Sequence, residues 1–179
     1  DMQVEFDGSR VDCCELVQTK DASEVEDHKI ELIGPDIDEF EVGSKHSIAY
    51  VVEVAGKSMQ PDFEPVFERK FHSYLNCIEG VMHTGQRDMI RIRVSKEAFN
   101  AGFRAKHFGE VLYAQVKNEF EAVVDKCQVK IYTNPEDCTK IRHEIAIPVF
   151  DKRDERLSTM TDESVPVYYS CIMCQAFSP

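Results

Sequence analysis

No apolar run in this 179-residue sequence approaches the ~18 residues that a membrane-crossing helix requires. Clustered Lys and Arg of the kind that nucleic-acid binding needs are also missing. Acids outnumber bases 33 to 21 and the net charge is −12, which argues against a DNA or RNA partner as firmly as the first absence argues against a membrane. The chain has no G-x-G-x-x-G, Walker A, G-x-S-x-G or H-E-x-x-H motif. The acidic stretch Asp36-Ile37-Asp38-Glu39-Phe40 lacks the glycine turn and closing glutamate of a calcium loop. Internal repeats and low-complexity segments are absent, and nothing before residue 171 forms an evident nucleophile–base set.

What remains is the composition of an ordinary globular protein, 42% hydrophobic and 30% charged. Its length predicts one domain, or one domain with a short appendix, burying roughly 70% of the surface of the unfolded chain. The opening DMQVEFDGSR is acidic and polar, unlike a signal peptide, and reads as part of something longer. Seven cysteines, an odd number at irregular spacing, fit a reduced cytoplasmic setting better than a disulfide framework. Cys13, Cys14, Cys77, Cys127 and Cys138 read mostly as small buried apolar residues.

Along the chain, residues 11–19, 29–33, 47–54, 89–94, 110–117 and 128–133 read as strands. Ser23 to Glu26 has a capping-box pattern and predicts a helical turn. Pro61 and Pro65 open the longest expected helix, whose stripe is Phe67, Phe71, Tyr74, Leu75, Ile78 and Met82. Ser95 caps a short helix that Gly102 ends. Residues 119–126 read as another brief helix. Asn134-Pro135 starts a helix to about Leu157, with Pro148 expected to kink or split it. The fold class is therefore α+β: a mixed sheet of about six strands with helices packed on it.

Two groups could carry chemistry. In MIRIRV, Arg91 and Arg93 share one strand face while Ile90, Ile92 and Val94 share the other, and Arg87 precedes them. Guanidiniums gathered in an acidic protein suit phosphate, because their donors fork and their charge is permanent; the plain alternative is that they pair with nearby acids. The second group is Cys171 and Cys174, in YYSCIMCQAFSP. Two thiols three positions apart hold half of a four-ligand zinc or iron–sulfur site.

Taken together, GVMHTGQRDMIRIRVS, KRDERL, TDESV and YYSCIMCQAFSP resemble the β-type subunit of the carbon monoxide dehydrogenase/acetyl-CoA synthase complex. The Cys-x-x-C followed by Gln, a small residue, Phe, a small residue and Pro is the most specific part. The resemblance implies the α+β middle domain of acetyl-CoA synthase over residues 1–165 and the truncated start of its catalytic domain over 166–179. It implies an enzyme that joins carbon monoxide, a methyl group from a corrinoid iron–sulfur protein and coenzyme A, with the carbon monoxide dehydrogenase subunit as a further partner. The reaction belongs to a nickel–iron–sulfur centre, the A cluster. By the match, Cys171 and Cys174 are two of the four cysteines of its 4Fe-4S cubane. The remaining cluster ligands, including a Cys-Gly-Cys loop for nickel, fall outside this chain, so the isolated piece is expected to be inactive and to hold no cluster. The resemblance also assigns Arg87 and Arg93 to coenzyme A. It leads one to expect a tryptophan where this chain has Arg91, and the chain has no tryptophan at all. The rival reading is a non-enzymatic interaction module in which two copies share one zinc through their Cys-x-x-C pairs.

Overall fold

The computed structural model describes residues 1–9, 13–86 and 89–161. Among them the elements run β1 (Met2–Ser9), β2 (Cys14–Thr19), β3 (Ile30–Ile33), β4 (Ser44–His46), β5 (Ala49–Ala55), α1 (Glu64–Asn76), β6 (Val81–Gln86), β7 (Met89–Ser95), α2 (Lys96–Asn100), α3 (Ala105–Glu119), β8 (Lys126–Tyr132), α4 (Pro135–Ile141) and α5 (Ile147–Thr159). The class is α+β, as expected. The strands form two mixed four-stranded sheets, β4-β1-β7-β6 and β2-β5-β8-β3, not one sheet of six. In the first sheet β1 is parallel to β4 and antiparallel to β7. In the second, β5 and β8 are antiparallel, with β2 parallel to β5 and β3 parallel to β8.

Three strands escape the sequence reading, each for its own reason. MQVEFDGS alternates, with Val4 and Phe6 buried, but its acids make the opening read as a polar stretch and mask the pattern. GVMHTGQ reads as the tail of a helix, yet Val81–Gln86 is a strand in hairpin register with β7. Ser44–His46 is too short and polar to stand out. Conversely, residues 110–117 are not a strand. Their apparent alternation belongs to a helical stripe that begins upstream, with Ala105, Phe108, Gly109, Leu112 and Val116 buried at helical spacing. A Cβ at Gly109 would lie 2.5 Å from Ile30 Cγ2, so glycine lets α3 press against β3.

Helix α1 is as expected at its start, and Phe67, Phe71, Tyr74 and Leu75 are buried, but with 13 residues it is not the longest helix, α3 having 15. Helix α1 stops at Asn76, short of Met82, and Gly80 turns the chain with φ +78°. Of residues 119–126, Glu119 ends α3, 120–125 form turns and Lys126 begins β8, and Ser23 to Glu26 forms no helix. There the Asp21 carboxylate accepts from the Ser23 N–H at 2.9 Å and fixes a turn. Ser95 does cap α2, accepting from the Ala98 N–H at 3.1 Å. The helix from Asn134 is split: α4 passes through a π-helical segment, Arg142–Ala146, into α5, with Pro148 in the first turn of α5. Proline lacks the N–H an uninterrupted helix would need there, and a π segment is a common place to absorb the defect.

The main core lies between the sheets. The Phe108 ring meets Phe6 of the first sheet edge-on at 6.3 Å and Tyr50 of the second at 5.7 Å. A smaller cluster on the far face of the second sheet packs Cys14, Leu16, Ala49 and Val51 against Cys138, Ile141 and Ala146. Cys13 and Cys14 thus face different cores, as adjacent residues entering a strand should.

Helix α1 closes one edge of each sheet. On edge strand β2, the Val17 N–H donates to Glu68 Oε2 at 3.2 Å and the Thr19 N–H to Glu64 Oε1 at 2.8 Å. On edge strand β6, the His83 N–H donates to Asn76 Oδ1 at 2.7 Å, and Asn76 Nδ2 donates to the His83 carbonyl at 2.8 Å. Side chains therefore take the places that another strand could occupy.

Candidate functional site

Alternation along β7 puts Ile90, Ile92 and Val94 in the core and Arg91 and Arg93 on the opposite face. Register decides what they meet. Arg93 lies opposite Glu5 of β1, and Arg91 opposite Asp7. Lys45 of β4 flanks Glu5 from the other side.

The contacts follow this register. Arg93 Nε donates to Glu5 Oε2. Arg91 Nη2 donates to Asp7 Oδ2 at 3.1 Å, and its Nε lies 3.7 Å from Glu5 Oε1. Lys45 Nζ reaches Glu5 Oε1 at 3.1 Å and Asp7 Oδ2 at 3.3 Å. The Glu5 side chain is 1% exposed, whereas those of Arg91, Arg93 and Lys45 are 34%, 46% and 63% exposed. The carboxylate thus lies beneath the cations. Burial alone would raise the Glu5 pKa, but the hydrogen bonds and charges of Arg93 and Lys45 outweigh it and leave the carboxyl below its ordinary value. The hydrogen bond from Arg91 likewise lowers Asp7.

Of the two sequence readings of the arginines, the pairing with nearby acids is what Arg91 and Arg93 show. Three cations over two carboxylates leave one positive charge on this sheet face in a protein of net charge −12. Lys45 is no candidate from sequence, because nothing in SKH shows that β4 lies beside β1. Arg87, Cys171 and Cys174 lie outside the described residues.

Four of the five other cysteines behave as small apolar groups. Cys13, Cys14, Cys127 and Cys138 are buried, and Cys77 is exposed. Burial pushes the Cys13 thiol up to about 11 and those of Cys127 and Cys138 up to about 12. Such thiols are poor nucleophiles and poor metal ligands at neutral pH. Among the described residues, no group of three or more His, Cys, Asp or Glu is placed to hold a metal ion, and no helix is long and apolar enough to cross a membrane.

Comparison with known proteins gives this geometry a context. A family model described as CO dehydrogenase/acetyl-CoA synthase complex beta subunit matches residues 1–138. The chain belongs to that family. A second model, for the C-terminal part of the ACS/CODH beta subunit, matches residues 150–179 and so includes the Cys-x-x-C. Family members resemble the chain throughout. The carbon monoxide dehydrogenase/acetyl-CoA synthase subunit alpha of Moorella thermoacetica is 48% identical over 179 residues, covering 100% of this chain and 24% of that protein. The acetyl-CoA decarbonylase/synthase complex subunit beta 2 of Methanocaldococcus jannaschii is 45% identical over 100% of this chain and 37% of its own length. The corresponding beta subunit of Methanopyrus kandleri is 42% identical over 100% of this chain and 38% of its own. The chain thus spans about a quarter to two fifths of the length of these family members.

Proposed function

We propose that the chain is the middle portion of an acetyl-CoA synthase of anaerobic carbon fixation, a cytoplasmic enzyme that makes acetyl-CoA from carbon monoxide, a corrinoid-borne methyl group and coenzyme A. The match, over the whole of this chain, to part of family members named for acetyl-CoA synthesis carries this reading. Residues 1–165 form the middle domain. Residues 166–179 begin the cluster-bearing domain, whose remaining ligands lie on chain beyond the present sequence. The partners are a corrinoid iron–sulfur protein and a carbon monoxide dehydrogenase subunit.

The donor set of Cys171 and Cys174 suits a 4Fe-4S cubane, since two soft anionic thiolates can each hold one iron corner. With nickel attached, such a cluster supplies a soft metal centre for joining a carbonyl to a methyl group. This chain's own contribution is to hold iron through those thiolates and to receive coenzyme A. Arg91 and Arg93, with Arg87 close by in sequence, take the phosphates of coenzyme A. Their support is the surplus positive charge on the open face of the first sheet. The rival reading, zinc shared between two copies, draws nothing from the family match.

The test uses the full-length enzyme, purified without oxygen. C171S/C174S should lose cluster iron and acetyl-CoA formation together, while R91A/R93A should keep the metals and raise KM for coenzyme A. Full iron and nickel occupancy in C171S/C174S would remove the cysteine assignment. Zinc at one per two chains, with no iron or sulfide, would favour the rival.

A further inference from the structure

We infer that Lys45 is the third cation of the phosphate site, and that the site takes the diphosphate of its ligand across three strands, β4, β1 and β7. The inference rests on the reading of Arg91 and Arg93 as phosphate receivers. It adds a residue from a distant part of the sequence and a reason for the acids beneath them.

Convergence on one buried carboxylate carries the argument. Lys45 Nζ lies 3.1 Å from Glu5 Oε1, Arg91 Nε lies 3.7 Å from the same oxygen, and Arg93 Nε bonds Glu5 Oε2. Three cationic heads from two strands on either side of β1 therefore share one small group. Two paired surface side chains would not achieve this. Asp7 repeats the arrangement one step along β1, taking Arg91 Nη2 at 3.1 Å and Lys45 Nζ at 3.3 Å.

The carboxylates use only part of each guanidinium. Glu5 takes Nε of Arg93, and Asp7 takes one terminal nitrogen of Arg91. A guanidinium has five N–H donors and an ammonium three, so each head keeps donors beyond those the carboxylates use. Glu5, with its side chain 1% exposed, cannot itself meet a ligand. It is a positioning residue: it tethers long side chains that would otherwise lose rotamer freedom when a ligand binds. A diphosphate suits the arrangement better than a single phosphate. It spreads several oxygens over a few ångströms and offers enough charge to engage three heads.

The experiment measures binding of coenzyme A, inorganic pyrophosphate and phosphate-free pantetheine to the purified protein at low and high salt. K45A, K45R and R91A/R93A are compared with the unaltered protein. Lys45 is largely exposed, and circular dichroism checks the fold of each variant. K45A is expected to weaken coenzyme A and pyrophosphate about fivefold, the scale of one charge at contact distance in water. The loss should shrink in high salt. K45R should retain most of the affinity, and pantetheine binding should not change. Equal pyrophosphate affinity in K45A and the unaltered protein, with R91A/R93A impaired, would overturn the role of Lys45 and leave the arginine reading standing. Undiminished coenzyme A and pyrophosphate binding in R91A/R93A would remove the arginine reading, and the role of Lys45 with it.

Discussion

On the open face of the first sheet, three cations ride over two carboxylates. Between α1, α5 and β2, one guanidinium serves two. Arg153 donates to Glu68 Oε1 at 2.7 Å and Oε2 at 2.9 Å, and to Glu64 Oε2 at 3.1 Å. The same two carboxylates accept the edge N–H groups of β2. The two clusters use the same residue types with opposite results. Burial raises both Glu5 and Glu68. At Glu5 the surrounding cations win and the pKa falls; at Glu68 burial wins and it stays raised despite Arg153, with the Glu64 charge adding to the rise. Charge balance decides the outcome, since the Glu5 side chain is no more exposed than that of Glu68. The first cluster holds spare positive charge near solvent, as an anion site needs, and the second commits its single cation to holding a helix to a sheet edge.

The largest effect separating them should come from Arg153→Ala. It leaves Glu64 and Glu68 facing each other, with side chains 13% and 10% exposed and no guanidinium between. Breaking such a pair costs about 3–5 kcal/mol. Urea unfolding should show it as a large drop in midpoint, whereas Arg93→Ala should move the midpoint far less. Equal losses would mean that charge balance does not distinguish the clusters.

The pH dependence of stability should run in opposite directions. Glu5 is lowered when folded, so below its ordinary value near 4.5 the unfolded chain binds more protons. Its contribution is present above 4.5 and is lost as the pH falls through the depressed value. Glu68 is raised, so the folded chain binds the proton more tightly. Its contribution is complete below 4.5 and is lost as the pH rises through the elevated value. Relative to the unaltered protein, E5Q should therefore lose stability as the pH climbs toward 4.5 from below. E68Q should gain relative stability as the pH climbs from 4.5 upward. Urea midpoints measured across acid pH check both, and slopes of the same sign would refute the contrast.

How far all this is legible in the sequence depends on distance along the chain. The two faces of MIRIRV follow from alternation alone, and α1 from its prolines and apolar stripe. The burial of Cys13 and Cys14 against different cores follows from their adjacency. The residues that give Arg91 and Arg93 their setting do not follow, because Glu5 and Asp7 lie more than eighty positions away and pair only through the register of β1 with β7. Lys45 is hidden for the same reason. Part of α3 reads as a strand because a window opening at Glu110 shows Val111 and Tyr113 alternating and omits Ala105 and Phe108, which set the helical period. Local periodicity fixes which face a side chain occupies; tertiary register fixes what it meets there.

A smaller effect tests whether α1 serves the two sheets alike. At β2 it closes the edge with carboxylates that need Arg153, and at β6 with the neutral amide of Asn76. Asn76→Ala removes two hydrogen bonds to the His83 backbone, a loss of about 1–2 kcal/mol. The amide of His83 should then exchange faster with solvent while those of Val17 and Thr19 keep their protection. Faster exchange at all three would make α1 a single cooperative strap, and the two edges would no longer be separable.

The smallest effect is expected from salt, and it bears most directly on function. The cations of the first sheet are a third to nearly two thirds exposed, whereas the Arg153 side chain is 20% exposed. At 1 M ionic strength the screening length falls to about 3 Å, comparable with the contacts themselves. Salt should therefore erase most of the already modest difference between Arg93→Ala and the unaltered protein, and leave the Arg153→Ala difference nearly intact. A cluster whose pairing weakens in salt is also one whose cations can exchange a carboxylate partner for a phosphate at small cost. If the Arg93→Ala difference instead persists at high salt, its guanidinium is committed to Glu5 as firmly as Arg153 is to Glu68, and the face of the first sheet is a structural ladder with little left to offer an anion.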